Sequence, residues 1–281
     1  MSVRPQRPQC PVFADLDTAL SRSHHGGMGN SVFDRAAASY GLVGPSLFDY
    51  FAGLIVERTG VPAGARVLDI ACGTGAVTRA VLARGSTPSA MLGVDLAFQM
   101  LRRARADFGH LPFAVAQMDV SCLGVADASC DVALSSLAID SIDDPLRAMR
   151  EIRRVVRDDG SVGLCIAPGW WWQGDDRWNW LAELLPFRER DNNGSIVDQE
   201  SLLRLIAASG LDAREVGTAD CLLHFADSET WWRWAWSHGS RALLEDRTGD
   251  ELALFRQAAH SNIDSSGIEA RVRGIWATAT P

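Results

Sequence analysis

The sequence predicts an α/β fold: an open, doubly wound, seven-stranded sheet whose last strand is antiparallel, under a helical cap rich in tryptophan. Three observations carry this expectation. Between Arg66 and Pro168, five apolar runs of strand length alternate with amphipathic helical stretches. That alternation marks a parallel sheet covered on both faces, and right-handed crossovers then wind it in both directions from its centre. The segment Arg271–Ala279 (RVRGIWATA) alternates in character and reads as a closing antiparallel strand. Finally, there are ten Trp against two Tyr, and most stand in two bursts outside the alternating region, APGWWWQGDDRWNW from Ala167 and ETWWRWAWSHG from Glu229.

The elements follow in chain order. Residues 1–30 read as a flexible tail. In 31–60, Val32, Phe33, Ala36, Ala37 and Tyr40, then Leu47, Phe48, Phe51, Leu54 and Ile55, recur at helical spacing, with Gly44-Pro45 between the two groups. This segment is a helical cap. The core, 61–168, holds strands over 66–71, 90–95, 112–117, 131–136 and 161–168, with helices near 75–84, 97–107 and 144–157. A Trp-rich insertion occupies 169–197. The core resumes over 198–227 with a helix that stops at Gly210 and a strand from Leu211 to Phe225. A second helical insertion spans 228–268, and 269–281 supplies the final strand.

Composition sets outer limits. A chain of 281 residues can bury a large core. The net charge of −8 argues against a nucleic-acid substrate, because phosphate neutralisation supplies most of that affinity. The basic runs at 102–105 and 147–157 fit solvated helix faces. No apolar run approaches the ~20 residues that span a bilayer, and no apolar stretch follows the N-terminal arginines, so a soluble, cytoplasmic, non-membrane protein is expected. All basic residues are Arg, which removes lysine from every catalytic role; with the abundant alanine, this suggests a GC-rich bacterial source. The six Cys show no C-x-x-C spacing and no pattern with His that would hold a metal.

Ligands of open parallel sheets bind beyond the carboxyl ends of the strands, where strand order reverses. The first strand ends in D-I-A-C-G-T-G (69–75), a glycine-rich turn that leads into a helix. The second ends in Asp95, placed to accept from ribose hydroxyls. The third is followed by Asp119, able to accept from an adenine amino group, and the fourth runs into S-S-L-A-I-D (135–140). A dinucleotide fingerprint would need a third glycine and would set its pyrophosphate on the turn; Asp69 is wrong for that pyrophosphate and suits an ammonium-bearing ligand.

At these residues the chain resembles the class I S-adenosylmethionine-dependent methyltransferases, a Rossmann-like family. It is most similar to the small-molecule branch of the ubiquinone/menaquinone C-methyltransferases and bacterial natural-product enzymes. The resemblance covers about residues 31–168. It implies that Asp69, Ala71, Gly73 and Gly75 turn around the methionine moiety of S-adenosylmethionine, with S-adenosylhomocysteine as product. It also implies that Asp95 holds the ribose, Leu96 and Met100 lie against the adenine, and Met118, Asp119 and Val120 read it. Ser135 would lie near the methionine part, and Tyr40 would close over the cofactor. Ala71 stands where the family more often has glycine.

The acceptor is expected to be a small aromatic or apolar metabolite, methylated on oxygen, nitrogen or carbon, in bacterial secondary metabolism. The S-S-L-A after the fourth strand differs from the N/D-P-P-Y/F of amino-methylating nucleic-acid enzymes. An oxygen acceptor can call for a general base; His238 and then His224 are the candidates, with Asp140 behind them. Trp231, Trp234, His238 and Arg241 fall within about 80 degrees on one helix from residue 228. With Trp170, Trp171 and Trp172, they are expected to roof a substrate pocket. The same indoles could instead form the cap's core or a dimer interface, so monomer and homodimer stay open. Two rival functions remain: a non-methylating cyclisation or rearrangement on the same fold, and a non-catalytic partner subunit.

Overall fold

The computed structural model describes residues 31–168, 175–184, 196–245 and 247–281. Two helices open it. α1 (Val32–Ala36) starts at a reciprocal cap between Ser31 and Asp34, and α2 (Leu47–Thr59) starts where Ser46 accepts from the Asp49 N–H. Then come β1 (Arg66–Ile70), α3 (Ala76–Ala83), β2 (Ala90–Asp95), α4 (Phe98–Phe108), β3 (Phe113–Gln117), β4 (Cys130–Ser136), α5 (Pro145–Val155) and β5 (Val156–Ile166). α6 (Asn179–Leu184), α7 (Gln199–Ala208), β6 (Asp212–Phe225), α8 (Ser228–Trp236), α9 (Ala242–Glu245), α10 (Gly249–Asn262) and β7 (Ile268–Thr280) complete the described chain.

The seven strands form one sheet in the order β3-β2-β1-β4-β5-β7-β6, with β7 antiparallel to both of its neighbours. Strand order reverses between β1 and β4, so the ligand crevice belongs at their carboxyl ends. Alternate residues of β1 feed two cores. Val67 joins α2 residues Phe51 and Ile55 on one face; Leu68 and Ile70 join Ile152 of α5 and Ile206 of α7 on the other.

Two expected boundaries change. The helix expected over 144–157 ends at Val155, and β5 begins at once. The register between β4 and β5 jumps from Cys130↔Val156 to Val132↔Ser161, so Val156–Gly160 forms a bulged entry to the strand. The single helix expected from residue 228 through Arg241 is broken, and the second helical insertion holds three helices among the described residues. α8 stops at Trp236, where the Ser237 hydroxyl donates to the Trp234 carbonyl and Gly239 opens a 3-10 turn.

β6 and β7 are longer than the strands beside them. β7 pairs with β5 only over Ile275–Ala279, so Ile268–Gly274 and its β6 partner run on past the carboxyl end of β5. The cap is built on this overhang. Trp178 donates its indole N–H to the Glu269 carbonyl at 2.9 Å, and Trp234 donates to the Pro45 carbonyl at 3.1 Å. The second bond ties the cap to the segment that precedes α2. No described helix is long and apolar enough to cross a membrane.

Candidate functional site at the sheet's switch point

A cavity of about 270 Å³ opens at the carboxyl ends of β1, β2, β3 and β4. Its polar wall is the turn after β1. Gly73 lies at φ +52 and Gly75 at φ +86, conformations that glycine enters without a Cβ penalty. A Cβ on Gly75 would come within 2.7 Å of the Phe108 ring, whereas one on Gly73 would meet nothing within 4 Å. Gly75 lets α4 pack close; Gly73 leaves backbone open toward a ligand.

Asp95 organises this wall. Its Oδ2 accepts from the Gly73 N–H and its Oδ1 from the Ala97 N–H, both at 2.8 Å. Burial pushes its pKa up, and these backbone donors pull it back. Each carboxylate oxygen has a second lone pair, so Asp95, which lines the cavity, keeps acceptor capacity for a ligand hydroxyl. The opposite walls are apolar: Leu96, Met100, Met118, Val120 and Ile142 leave a slot for a flat ring.

Asp69 sits elsewhere than expected. It is 1% exposed, beneath the turn, and does not line the cavity. Its Oδ2 accepts from the Thr78 hydroxyl at 3.0 Å, and its Oδ1 is buried without a hydrogen-bond partner. Burial pushes its pKa up to about 7 against the pull of Thr78. Asp69 therefore braces the turn from below. Asp119 is likewise not on the cavity wall; it is exposed and accepts from the Ser121 N–H at 2.8 Å as the cap of a 3-10 turn, between the lining residues Met118 and Val120. Ser135 is fully buried and its neighbour Ser136 takes the lining position; both hydroxyls lack partners.

Ala71, Gly73, Asp95, Leu96, Met100, Met118, Val120 and Tyr40 are thus brought together around one cavity. Tyr40 stacks on Phe48 with ring centroids 4.5 Å apart and meets Phe33 edge-on at 6.4 Å. Burial, then the Asp95 charge, raises its pKa. The roof that carries Phe33 and Tyr40 is pinned from three sides. The Gln99 N–H donates to Asp34 at 2.8 Å, Arg103 donates to the Ala37 and Tyr40 carbonyls at 3.0 and 2.6 Å, and Arg35 pairs with Glu245. Phe33, Ser136, Leu137 and Ala138 are lining residues that sequence reasoning missed. The motif S-S-L-A was visible, but alternation along a strand would turn only every second residue inward.

The expected substrate residues scatter. Trp170, Trp171 and Trp172 lie outside the described residues. Trp231 and Trp234 are each 1% exposed, packed with Trp178, Trp180 and Phe225 at ring separations of 5.0–6.2 Å, so they are the cap's core and not a wall of this cavity. Because α8 ends at Trp236, His238 and Arg241 do not share its face. Arg241 pairs with Glu245, stands 5.4 Å over the Trp236 ring and donates to the Arg35 carbonyl, joining the tie that holds the roof. His238 is 7% exposed and does not line the cavity. Its Nδ1–H donates to the Trp234 carbonyl at 2.7 Å, and Nε2 faces the Ser240 hydroxyl at 3.2 Å. Burial lowers its pKa to about 4, so it is neutral at pH 7. His224 is exposed on β6. Among the described residues, no group of three His, Cys, Asp or Glu could hold a metal ion.

Comparison with known proteins agrees with this geometry. Residues 68–164 match a family described as a methyltransferase domain. The chain is 34% identical over 134 residues to a malonyl-[acyl-carrier protein] O-methyltransferase of Pseudescherichia vulneris, covering 48% of this chain and 51% of that one. It is 32% identical over 138 residues to the ubiquinone/menaquinone biosynthesis C-methyltransferase UbiE of Bdellovibrio bacteriovorus, covering 47% and 58%. The matches thus span about half the length of these curated relatives. Two solved structures share the fold. YcgJ of Bacillus subtilis has a TM-score of 0.56 at 17% identity, covering 82% of this chain and 97% of its own. The [4+2]-cyclase SpnF has 0.52 at 21%, covering 83% and 80%. The cavity fits the S-adenosylmethionine that the sequence resemblance implies: a hydroxyl-accepting carboxylate, open backbone at Gly73 and an apolar slot suit a ribose, an amino-acid tail and a purine.

Proposed function

We propose, from the premise that this chain carries a methyltransferase domain over residues 68–164, that it transfers a methyl group from S-adenosylmethionine to a small apolar or aromatic acceptor. The observation that carries the reading is Asp95: one carboxylate both ties down the glycine-rich turn and lines a largely apolar cavity with acceptor capacity to spare. When bound, the cofactor supplies a methyl group made electrophilic by its sulfonium. The protein's own part is to hold, orient and keep dry. Asp95 fixes the ribose, Leu96, Met100, Met118 and Val120 hold the purine, and Phe33 and Tyr40 shut water out from above.

The apolar roof of Phe33, Tyr40 and Phe48 favours an apolar acceptor. Among the expected bases, His238 is committed to the Trp234 carbonyl and sealed in the cap. This favours an acceptor that is nucleophilic without His238 as its base, such as an activated carbon or an already ionised oxygen.

The test is transfer of labelled methyl from S-adenosylmethionine into a library of small aromatic and apolar metabolites, read by mass spectrometry. Label in a product, lost with Asp95→Ala, supports the reading. Consumption of an acceptor without label points to the cyclase alternative, and absence of calorimetric binding of S-adenosylhomocysteine sinks the cofactor assignment.

A further inference from the structure

Ser136, Leu137 and Ala138 are consecutive, yet all three line the cavity. A regular strand turns successive side chains to opposite faces, so the run requires a break at the end of β4. The break is Leu137, whose φ of +59 places it in the left-handed region. Its N–H donates to the Cys165 carbonyl at 2.7 Å, at the end of β5, and Ala138 follows at φ −133, ψ −42 into the turn Ile139–Ser141. Left-handed backbone is disfavoured for every residue with a Cβ, and more so for bulky ones. Among the described residues only Ala71, Ala128 and Leu137 adopt it without being glycine. Ala71 lines the same cavity from the end of β1, the strand beside β4. Backbone strain of this kind persists only where surrounding structure over-determines it, and it concentrates at ligand sites.

We propose that Leu137 is a positioning residue for the cofactor. Its left-handed backbone turns Ser136 and Ala138 toward one cavity, and the site depends on that conformation more than on the leucine's apolar bulk. The proposal rests on the cofactor reading above. It predicts an order of substitutions that hydrophobicity alone would reverse. Asparagine tolerates left-handed backbone but is polar; valine is apolar but, being β-branched, resists it.

The experiment is calorimetric titration of S-adenosylhomocysteine into the full chain, below the melting temperature of each variant. Leu137→Asn should bind within about threefold of the unmodified chain, and Leu137→Val at least about threefold more weakly than Leu137→Asn, because β-branching adds to the penalty that any Cβ already carries in this region. Valine binding as well as or better than asparagine overturns the proposal. Where the valine variant does not fold, Leu137→Gly and Leu137→Ala replace the pair, since both remove the bulk and only glycine enters this region freely. Glycine should then bind more tightly than alanine; equal or weaker binding overturns the proposal. If the unmodified chain does not bind, the cofactor reading falls as well. If it binds and the variants fall in the wrong order, only the role of Leu137 falls.

Discussion

The cavity edge and the cap handle buried polar groups in opposite ways. At the cavity, Asp95 is half-buried, bonded to two backbone donors, and still has acceptor capacity facing outward. In the cap, His238 turns inward to a carbonyl, and two indole N–H groups, those of Trp180 and Trp231, are buried with no partner. The first arrangement leaves bonding capacity for a ligand; the second spends aromatic surface on packing. Abundant indole therefore marks stability here, and a single carboxylate at a strand end marks binding.

The largest test of that contrast is a pair of truncations. Trp231→Ala removes a fully buried indole and should cost about 3–5 kcal/mol of stability, while S-adenosylhomocysteine affinity measured well below the melting temperature stays nearly constant. Asp95→Ala should do the reverse, weakening binding about a hundredfold or more through two lost charge-assisted hydroxyl bonds. If Trp231→Ala weakens binding as much as Asp95→Ala does, the two regions are not separable. A finer comparison replaces indole with phenyl. Trp234→Phe loses a bond to the Pro45 carbonyl that Trp231→Phe never had, and should cost about 1 kcal/mol more in chemical denaturation.

Next in size is the pH dependence of stability. Asp69, raised to about 7, holds its proton more tightly when folded. Its contribution is full below the unfolded carboxylate range and is lost as pH rises toward 7. His238, lowered to about 4, does the opposite: its contribution is full above about 6.5 and is lost as pH falls toward 4. Between about pH 4.5 and 6.5 the slopes oppose each other, and stability should be nearly level. Asp69→Asn should expose the histidine slope, with stability falling on acidification by about 3 kcal/mol at most. His238→Gln should expose the aspartate slope, with stability rising on acidification. Urea midpoints across that window decide it; parallel profiles for both variants would remove one of the two burials from the account.

The smallest expected effect is Ala71→Gly. Relief of the left-handed penalty is offset in part by the greater chain entropy of glycine in the unfolded state, which leaves a gain of about 0.5 kcal/mol. A calorimetric melt that shifts down would show that the alanine methyl packs usefully at the turn.

Much of the fold and about half of the candidate site were legible from residue patterns. The strand β2 is legible to the residue, and Asp95, Gly73, Leu96, Met100, Met118 and Val120 line one cavity because a strand end and its turn are local. Asp69 and Asp119 were recognised as strand-end acids, but the direction of a carboxylate depends on which N–H or hydroxyl lies nearest, and those were Thr78 and Ser121. The tryptophan face was read from helical spacing. That spacing tells which side chains share a stripe and not what the stripe meets.

Sequence by itself determined the alternation of strands and helices, the glycine turn and the acidic strand end, because these follow from periodicity and from conformations that few residues adopt. Tertiary structure decided that Trp178, Trp231 and Trp234 are core, that α8 stops before His238, and that Leu137 takes a left-handed turn into the cavity. Each depends on contacts between segments far apart in the chain: Trp178 with Glu269, Trp234 with Pro45, and Leu137 with Cys165. Such bonds form only after the sheet has brought their partners together, and no local pattern encodes them.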